Sequence, residues 1–289
     1  MTLGCLEDIG FEVNYNSDYV VSKGNNLNII KNIFQKWDFR IHNSNLYAIK
    51  KSYNTKSNKA EVFILSDNYS KFILMKPIKL GLTNDSWNYL VTKDDNLLGI
   101  KRFKTYSKTT EIHILRKDTD FSTFKVNYTS GLSLRGNFDF LLDSEDNLIC
   151  IKKTRNNFIE VHILSKISYY LKFILHKVTP LLSVNKIWAF CISKNNNDLY
   201  CLDKSNESGN LEIFVLSSSS NYTEVSNTYT TNLPSCNIRN KFDLNNKDDL
   251  VLIKDYKRIG DSKMEVHILS KESSYTKFIL QKSLPLNSI

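Results

Sequence analysis

Glycine and proline are scarce in this sequence, with 9 and 4 residues in a chain of 289. Its turns must therefore be built from Asn, Asp, Ser and Lys, which are plentiful. No run of about 18 apolar residues occurs, so the sequence predicts no transmembrane segment. Residues 1–10 lack a basic region followed by an apolar run, so no classical signal peptide is visible.

Cysteine is also sparse, and the five cysteines are Cys5, Cys150, Cys191, Cys201 and Cys236. Their number is odd and no CxxC pair occurs, so neither a disulfide framework nor a zinc site is indicated. Cys150 and Cys201 occupy one position of the repeat described below, where other copies carry Ala48, Gly99 and Leu252. We therefore expect both to be small residues of the core.

The common linear motifs of catalysis are missing as well. The sequence contains no GxSxG elbow, no Walker loop, no glycine-rich dinucleotide turn and no HExxH pair. From these absences we expect a protein that is not an enzyme and that uses no cofactor.

Acidic residues are outnumbered by basic ones, which gives a net charge of +9 and a pI near 9.1. A basic surface attracts nucleic acid, anionic lipid or acidic glycans. The lysines recur once or twice per repeat and do not form one block, a pattern typical of solvated strand edges and loops. We therefore expect no nucleic-acid partner.

One segment that the sequence does repeat is Glu160–Ser165, which reads EVHILS. It returns almost unchanged at 265–270, and looser copies begin at Glu61, Glu111 and Glu212. The five leading glutamates are 50, 49, 52 and 53 residues apart. A period near fifty is typical of repeat architectures, among them the β-propellers.

Three further strand signals accompany this segment. Aromatic residues open each repeat at Trp37–Phe39, Trp87–Tyr89, Phe138–Phe140, Trp188–Phe190 and, more weakly, Phe242–Leu244. A short apolar strand follows a polar turn and begins at a constant interval of 51, at Asn45, Asn96, Asn147, Asp198 and Asp249. A fourth strand has a clear sequence pattern at 72–76, 173–177 and 278–282. The pattern is weak near 124–126 and 223–225.

Short strands separated by polar clusters, with no sustained helical period, predict an all-β protein. Four strands every fifty residues describe the blade of a β-propeller. We predict one β-propeller domain over 1–289 with five blades or six, from a partial repeat at 1–36 and repeats at about 37–86, 87–137, 138–187, 188–241 and 242–289. N-terminal strands are candidates to close the ring. A parallel β-helix is the alternative, but its rungs need about 20 residues.

The repeated glutamates and histidines invite a catalytic or metal-binding interpretation. Catalytic carboxylates need different surroundings, whereas these glutamates are equivalent by position. We expect a structural role for them, such as a hydrogen bond to a backbone amide of the next blade. His113, His162 and His267 share a position with Phe63 and Phe214, which indicates that a flat ring is needed there and not a metal ligand.

The polar turn before the second strand resembles a calcium loop most closely in the third repeat, at Asp143, Glu145 and Asn147. Calcium loops place acidic oxygens at alternate positions and use a glycine for the sharp turn. None of the five turns has that glycine. We keep the three residues as candidate calcium ligands, but favour a plain polar turn and expect no metal site.

A lysine ends the second strand in four repeats, at Lys50, Lys101, Lys152 and Lys254. Lysines on strands often protect sheet edges from aggregation. An anion-binding rim is the alternative role. We favour edge protection.

The unit formed by Asn45–Lys76, with its copies in Glu160–Lys177 and Glu265–Lys282, resembles the "AIKK…EVHVLS" repeat, an FG-GAP-like repeat of microbial secreted proteins. That resemblance implies a propeller. The loss of the acidic, glycine-containing loop usual in this repeat argues against calcium. In its Asn- and Lys-rich composition and its length, the chain also resembles the immunoevasive egg-surface proteins of braconid parasitoid wasps.

The wasp resemblance implies a non-enzymatic, extracellular coat on eggs or particles that protects them from encapsulation, with host haemocytes or egg and particle surface components as partners. The alternative is a carbohydrate-binding, lectin-like propeller with glycan pockets in the gaps between blades. Trp37, Trp87 and Trp188 are the candidate ligand-binding residues for that alternative, although a core role for them is favoured.

Overall fold

The computed structural model describes residues 37–52, 55–81, 83–84, 86–102, 105, 108–133, 138–154, 156–183, 188–204, 209–234, 241–258 and 261–288. The partial repeat at 1–36, together with Cys5 and Cys236, lies outside these residues. Among the described residues there is no helix with the length and apolar character needed to span a membrane.

The described chain folds into antiparallel sheets of four strands, each made from four strands consecutive in sequence. Blade 1 contains β1 (Trp37–His42), β2 (Asn45–Lys50), β3 (Glu61–Leu65) and β4 (Phe72–Pro77). Blade 2 contains β5 (Trp87–Val91), β6 (Leu97–Lys101), β7 (Thr109–Leu115) and β8 (Phe124–Ser133). Blade 3 contains β9 (Phe138–Leu142), β10 (Leu148–Lys153), β11 (Phe158–Leu164) and β12 (Phe173–Leu182).

Two more sheets complete the ring. Blade 4 contains β13 (Ala189–Ile192), β14 (Leu199–Lys204), β15 (Asn210–Leu216) and β16 (Val225–Pro234). Blade 5 contains β17 (Lys241–Leu244), β18 (Leu250–Arg258), β19 (Asp261–Leu269) and β20 (Phe278–Ser283). Short 3-10 turns lie at Lys117–Thr119 and Pro285–Ser288.

The first strands of the blades surround a central axis. They contact one another in the order β1, β5, β9, β13 and β17, and β17 returns to contact β1. The protein is therefore a five-bladed β-propeller, as the fifty-residue period predicts. The order of strands within each sheet excludes the parallel β-helix.

Every hydrophobic cluster of the core joins two neighbouring blades. One of them packs Tyr47 and Ile49 of blade 1 against Trp87 of blade 2. The ring closes in the same way, where Trp37 of blade 1 packs against Val251 of blade 5. The strands are apolar on both sides because each blade buries both of its faces against neighbours.

The turn between the first two strands has a residue in the left-handed conformation at the same repeat position in all five blades. Its residue with positive φ recurs every 51 positions, with φ between 60° and 66°, at Ser44, Asp95, Asp146, Asn197 and Asp248. Asp and Asn are the residues that tolerate this left-handed conformation best after glycine. This explains how the protein forms such turns with few glycines.

An aromatic residue of the turn between the third and fourth strands fastens the blade internally. This residue also has positive φ, at Tyr69, Phe121, Tyr170, Tyr222 and Tyr275. The Tyr170 hydroxyl donates to the Asp146 carbonyl at 3.2 Å, and Tyr222 and Tyr275 make the equivalent bond. The sequence patterns above did not single out this tyrosine.

Strand register corrects one expectation about the fifth repeat. Phe242 pairs with Leu252, as Phe39 pairs with Ala48. Phe242 is therefore the counterpart of Phe39, and the first strand of this blade is Lys241–Leu244. The alignment of Phe242–Leu244 with Trp37–Phe39 is wrong by two residues, because Asp243 pairs with Val251 and corresponds to Arg40.

The lysines that end the second strands are not edge residues. These strands are paired on both sides, so the expectation of edge protection is wrong for them. Lys101 Nζ lies 3.1 Å from Glu111, and Lys50 Nζ lies 5.6 Å from the centre of the Trp37 ring. Exposed lysines do occur on the true edges, at Lys76 of β4 and Lys177 of β12.

Cys150 and Cys201 are core residues, as expected from the repeat. Both are completely buried, and so is Cys191. All three are free thiols. Burial raises the pKa of each thiol, which keeps it neutral and unreactive.

We expect Tyr170→Phe to lower the free energy of unfolding by about 1 kcal/mol, because the buried Asp146 carbonyl loses its hydroxyl donor. Urea unfolding followed by tryptophan fluorescence measures the change. Blade 2 already carries Phe121 at this position, so the ring alone fits the turn. The neighbouring Tyr169→Phe is the control, because Tyr169 is 56% exposed. Equal stability of the two variants would contradict the assigned role of the Tyr170 hydroxyl.

Candidate functional site in the central channel

Charged and polar side chains of the first strands meet around the axis of the propeller. Register makes five positions equivalent and defines an axial layer, formed by Asp38, Asn88, Asp139, Ala189 and Lys241. The next layer, two residues further along, is Arg40, Leu90, Leu141, Cys191 and Asp243. Both layers differ from blade to blade, in contrast to the symmetric core.

Two carboxylates of the channel hold neighbouring blades together. Asp38 is 4% exposed, accepts a hydrogen bond from the Tyr89 backbone N–H of blade 2 at 3.1 Å, and lies 4.0 Å from Lys51 Nζ. Asp243 accepts the Ile41 N–H of blade 1 at 2.7 Å. These bonds cross the interface between blades 1 and 2 and the point where the ring closes.

Asp139 has different surroundings. Its side chain is exposed, whereas that of Asp38 is buried. Desolvation by the surrounding protein raises the pKa of the carboxyl, against the opposing influence of Lys241, Lys153, Arg102 and Arg40. Burial likewise raises the pKa of Asp243, with Arg40 opposing it.

Cations outnumber these carboxylates. Burial lowers the pKa of Lys241 and of Lys194, and aspartates of the site oppose the shift in both cases. The pKa of Arg102 is lowered in the same way, and its guanidinium lies 5.5 Å from the centre of the Phe140 ring in blade 3. The Lys194 ammonium donates to the Leu142 carbonyl.

Several polar atoms of the channel have unused hydrogen-bonding capacity. Within the described part of the chain, Arg40 Nε, Arg102 Nε and Asn88 Oδ1 are buried without a protein partner. A buried polar group left unpaired costs about 1–3 kcal/mol. Water or a polar ligand in the channel would satisfy donors and an acceptor placed in this way. The arrangement suits a ligand rich in hydroxyl groups.

The expected calcium residues form a closed turn of blade 3. Asp143 Oδ1 accepts the N–H groups of Glu145 and Asn147 at 2.9 and 2.8 Å, and Asp143 Oδ2 accepts the Asn147 amide at 2.9 Å. Asn147 Oδ1 accepts the Lys166 N–H at 3.0 Å. The side-chain oxygens of Asp143 are thus engaged within the turn, that of Asn147 is bound to the turn after β11, and Glu145 is exposed.

The three candidate tryptophans lie between blades. Trp37, Trp87 and Trp188 are 4%, 6% and 7% exposed and belong to hydrophobic clusters of the core. A sugar at the surface could not stack on rings placed in this way. Their indoles contact the ring at the expected flat-ring position, with Trp37 and Phe63 5.3 Å apart and Trp87 and His113 5.1 Å apart.

The contacts described for three of the repeated glutamates lie within their own blades and are not the expected bond to a backbone amide of the next blade. Glu160 and Glu265 contact the histidine two residues further on, at 3.1 and 3.0 Å. Glu111 contacts Lys101 at 3.1 Å in its own blade. The bond to a neighbouring backbone amide comes instead from Asp38 and Asp243.

A sequence signal for the channel was present but is subtle. Apolar first strands carry a charged residue at Asp38, Asp139 and Asp243. The pattern also breaks the repeat, since Asn88, Ala189 and Lys241 stand at the position of Asp38 and Asp139 in the other three copies. Positions at which the copies of the repeat differ are candidates for a function that the blades do not share.

Comparison with known proteins gives a fold relationship. No protein-family model and no curated protein matches the sequence. The structure is similar to an exo-β-1,3-galactanase from Phanerochaete chrysosporium determined with galactose, at a TM-score of 0.54 and 12% identity over 88% of this chain and 65% of that one. An exo-β-1,3-galactanase from Clostridium thermocellum matches at 0.50 and 12%, over 84% of this chain and 60% of that one.

A GH43 β-1,3-galactosidase is similar as well, at a TM-score of 0.51 and 9% identity, over 87% of this chain and 60% of that one. The chain thus spans just under two thirds of the length of these three proteins. At such low identity the likeness shows the fold alone.

These neighbours overturn the prediction of a non-enzymatic coat protein. The three solved structures named above are two exo-β-1,3-galactanases and a GH43 β-1,3-galactosidase, and none of them is a coat protein. The expectation that the protein is not an enzyme rested on missing linear motifs. A propeller can bring acidic residues from separate blades to one axis, where no short motif records them.

We expect Asp139→Asn to raise the free energy of unfolding at pH 7 and to lose this gain in acid. Because the folded-state pKa is raised, the native protein holds this proton more tightly than the unfolded chain, whose Asp pKa is about 3.9. Stability therefore falls as pH rises through the interval between the two values. Asparagine carries no charge, so it removes this loss of stability at neutral pH.

Urea unfolding of both proteins at several pH values between 3 and 7 tests this expectation. Groups away from the axis titrate equally in the two proteins, so the difference between them reports on Asp139 and the charges coupled to it. A difference that stays constant with pH would contradict the raised pKa.

Proposed function

We propose that this protein is carbohydrate-active and binds a saccharide in its central channel. The observation that carries the proposal is the asymmetric channel, where Asp139 faces solvent and Arg40, Asn88 and Arg102 hold unpaired polar atoms. Supporting it, the fold is shared with exo-β-1,3-galactanases, one of them determined with galactose.

Each of these groups matches a feature of saccharides. A carboxylate accepts hydrogen bonds from sugar hydroxyls, and guanidinium and amide groups offer donors and an acceptor in fixed planar geometry. The extracellular location implied by the repeat stays a prediction and agrees with a glycan partner.

Binding is tested by calorimetry with galactose and β-1,3-galacto-oligosaccharides, followed by acidic oligosaccharides. We expect Arg102→Gln to weaken binding at least tenfold, because hydrogen bonds to charged groups contribute about 1.5–3 kcal/mol. Lys172→Gln, at an exposed position in the turn before β12, is the control and should bind as the original chain does. If no saccharide binds at millimolar concentration, the proposal is wrong.

Glycoside hydrolysis is the second candidate, and the raised pKa of Asp139 favours it. An acid catalyst must hold its proton near neutral pH while a second carboxylate accepts one.

The reaction balances as a single displacement. Asp139 gives its proton to the glycosidic oxygen as the bond from that oxygen to the anomeric carbon breaks. A water oxygen forms the new bond to this carbon, and the water proton passes to the second carboxylate. The products are two shorter saccharides, and solvent returns the two carboxyl groups to their starting protonation.

Incubation with β-1,3-galactotriose and chromatography of the products measures hydrolysis. If the chain cleaves this substrate, Asp139→Asn should lower kcat by about 10²–10⁴-fold, the usual contribution of a general acid. Saccharide binding without turnover would remove hydrolysis and leave the binding proposal standing. Unchanged turnover in Asp139→Asn would reject Asp139 as the acid.

A further inference from the structure

A second group of chemically active side chains lies in the outer half of blade 3, apart from the channel. Strands β11 and β12 pair so that His162 stands directly opposite His176. Glu160 precedes His162 by two residues, which puts both on one face of β11 because side chains alternate along a strand. Two imidazoles and a carboxylate therefore share one patch.

The distances within this patch are short. Glu160 Oε2 lies 3.1 Å from His162 Nε2 and 3.7 Å from His176 Nε2. The two imidazole rings stack, with centroids 4.2 Å apart and planes 21° from parallel. One ligand atom from each residue falls within 4.8 Å of the other two.

We propose that Glu160, His162 and His176 form a binding site for a divalent transition metal, with Zn²⁺ as the best match. Imidazole nitrogens and carboxylate oxygens bind Zn²⁺ at about 2.0–2.2 Å, and three protein ligands leave one coordination position open. Imidazole together with carboxylate selects transition metals over Ca²⁺ and Mg²⁺, which take oxygen ligands.

Burial makes the ligands differ in mobility. The side chains of His162 and Glu160 are 13% and 18% exposed, so packing holds them in place. His176 is 60% exposed on the outermost strand, so its ring has room to turn toward a metal. Tetrahedral ligands around zinc stand about 3.3 Å apart, which follows from the bond lengths. A small rotation of His176 brings the three atoms to that spacing.

The set is complete in blade 3 and incomplete in the other four blades. Register gives the equivalent residues in blade 5 as Glu265, His267 and Gln281, and in blade 2 as Glu111, His113 and Asn127. Blades 1 and 4 carry phenylalanine at the first histidine position, at Phe63 and Phe214. The repeated histidine position also accepts phenylalanine, so that histidine alone does not indicate a metal ligand. His176 is the residue that completes the ligand set in blade 3.

The bound metal would fasten the edge strand β12 to β11, because its ligands come from both strands. It would also present an open coordination position at the outer wall of the propeller, since His176 faces solvent. This site is independent of saccharide binding, because its residues take no part in the channel.

The chain supplies its own matched variants for the test. His176→Gln gives blade 3 the residue set of blade 5, and Gln281→His gives blade 5 the set of blade 3. Each set already occurs in a folded blade, so both variants should fold. The protein should carry no polyhistidine tag and be treated with a chelator beforehand.

Titration with Zn²⁺ in a calorimeter measures stoichiometry, and thermal melting with and without Zn²⁺ measures stabilisation. We expect one Zn²⁺ per original chain, at least a 100-fold loss of affinity in His176→Gln, and a second Zn²⁺ in Gln281→His. The melting temperature should rise with Zn²⁺ in the original chain and stay unchanged in His176→Gln.

Three outcomes would overturn the proposal. The first is no binding to the original chain at 100-fold excess of Zn²⁺ over a micromolar protein concentration. The second is undiminished binding by His176→Gln, which would put the metal elsewhere. The third is a Gln281→His chain that still binds a single Zn²⁺, which would show that the shared geometry does not make the site.

Discussion

The whole structure depends on the burial of both faces of each blade. A four-stranded sheet with apolar residues on two sides cannot be stable alone in water, because each exposed face would leave its hydrophobic surface in solvent. Neighbouring blades cover these faces, and the last cluster joins Trp37 to Val251, so that no blade is left uncovered. The closed ring follows from this requirement, and the ring in turn creates the axis where the functional groups meet.

Positions that repeat in every blade and positions that differ between blades have different roles in this protein. Where blades only pack or turn, the five copies agree, as in the left-handed turn position shared by Asp95, Asp146 and Asp248. At the axis the copies differ, so Asp139 of one blade faces Lys241 of another with a changed pKa. A ring of identical residues would give five equal environments. Acid and base chemistry, or selective binding, needs unequal ones.

Much of the fold could be predicted from the sequence. The fifty-residue period, the strand order within a blade and the small buried residues Cys150 and Cys201 all follow from local patterns that packing preserves. The candidate site could not be predicted in the same way. The repeated glutamates and histidines drew notice because they recur, whereas Asp38, Asp139 and Asp243 are inconspicuous single residues within apolar strands. A sequence period gives strand register only to within a residue or two. For this reason the alignment of the repeats matched Asp243 with Asp38.

By itself, the sequence determined that this is a repeating all-β protein with apolar strands and polar, glycine-poor turns. These properties depend on residues close together along the chain. Only the tertiary structure decided which residues meet at the axis and which side chains join across β11 and β12. Those encounters bring together residues 14 to about 200 positions apart, such as the pair His162 and His176 or the contact of Asp243 with Ile41. No local pattern encodes them, because they exist only once the blades are formed and the ring has closed.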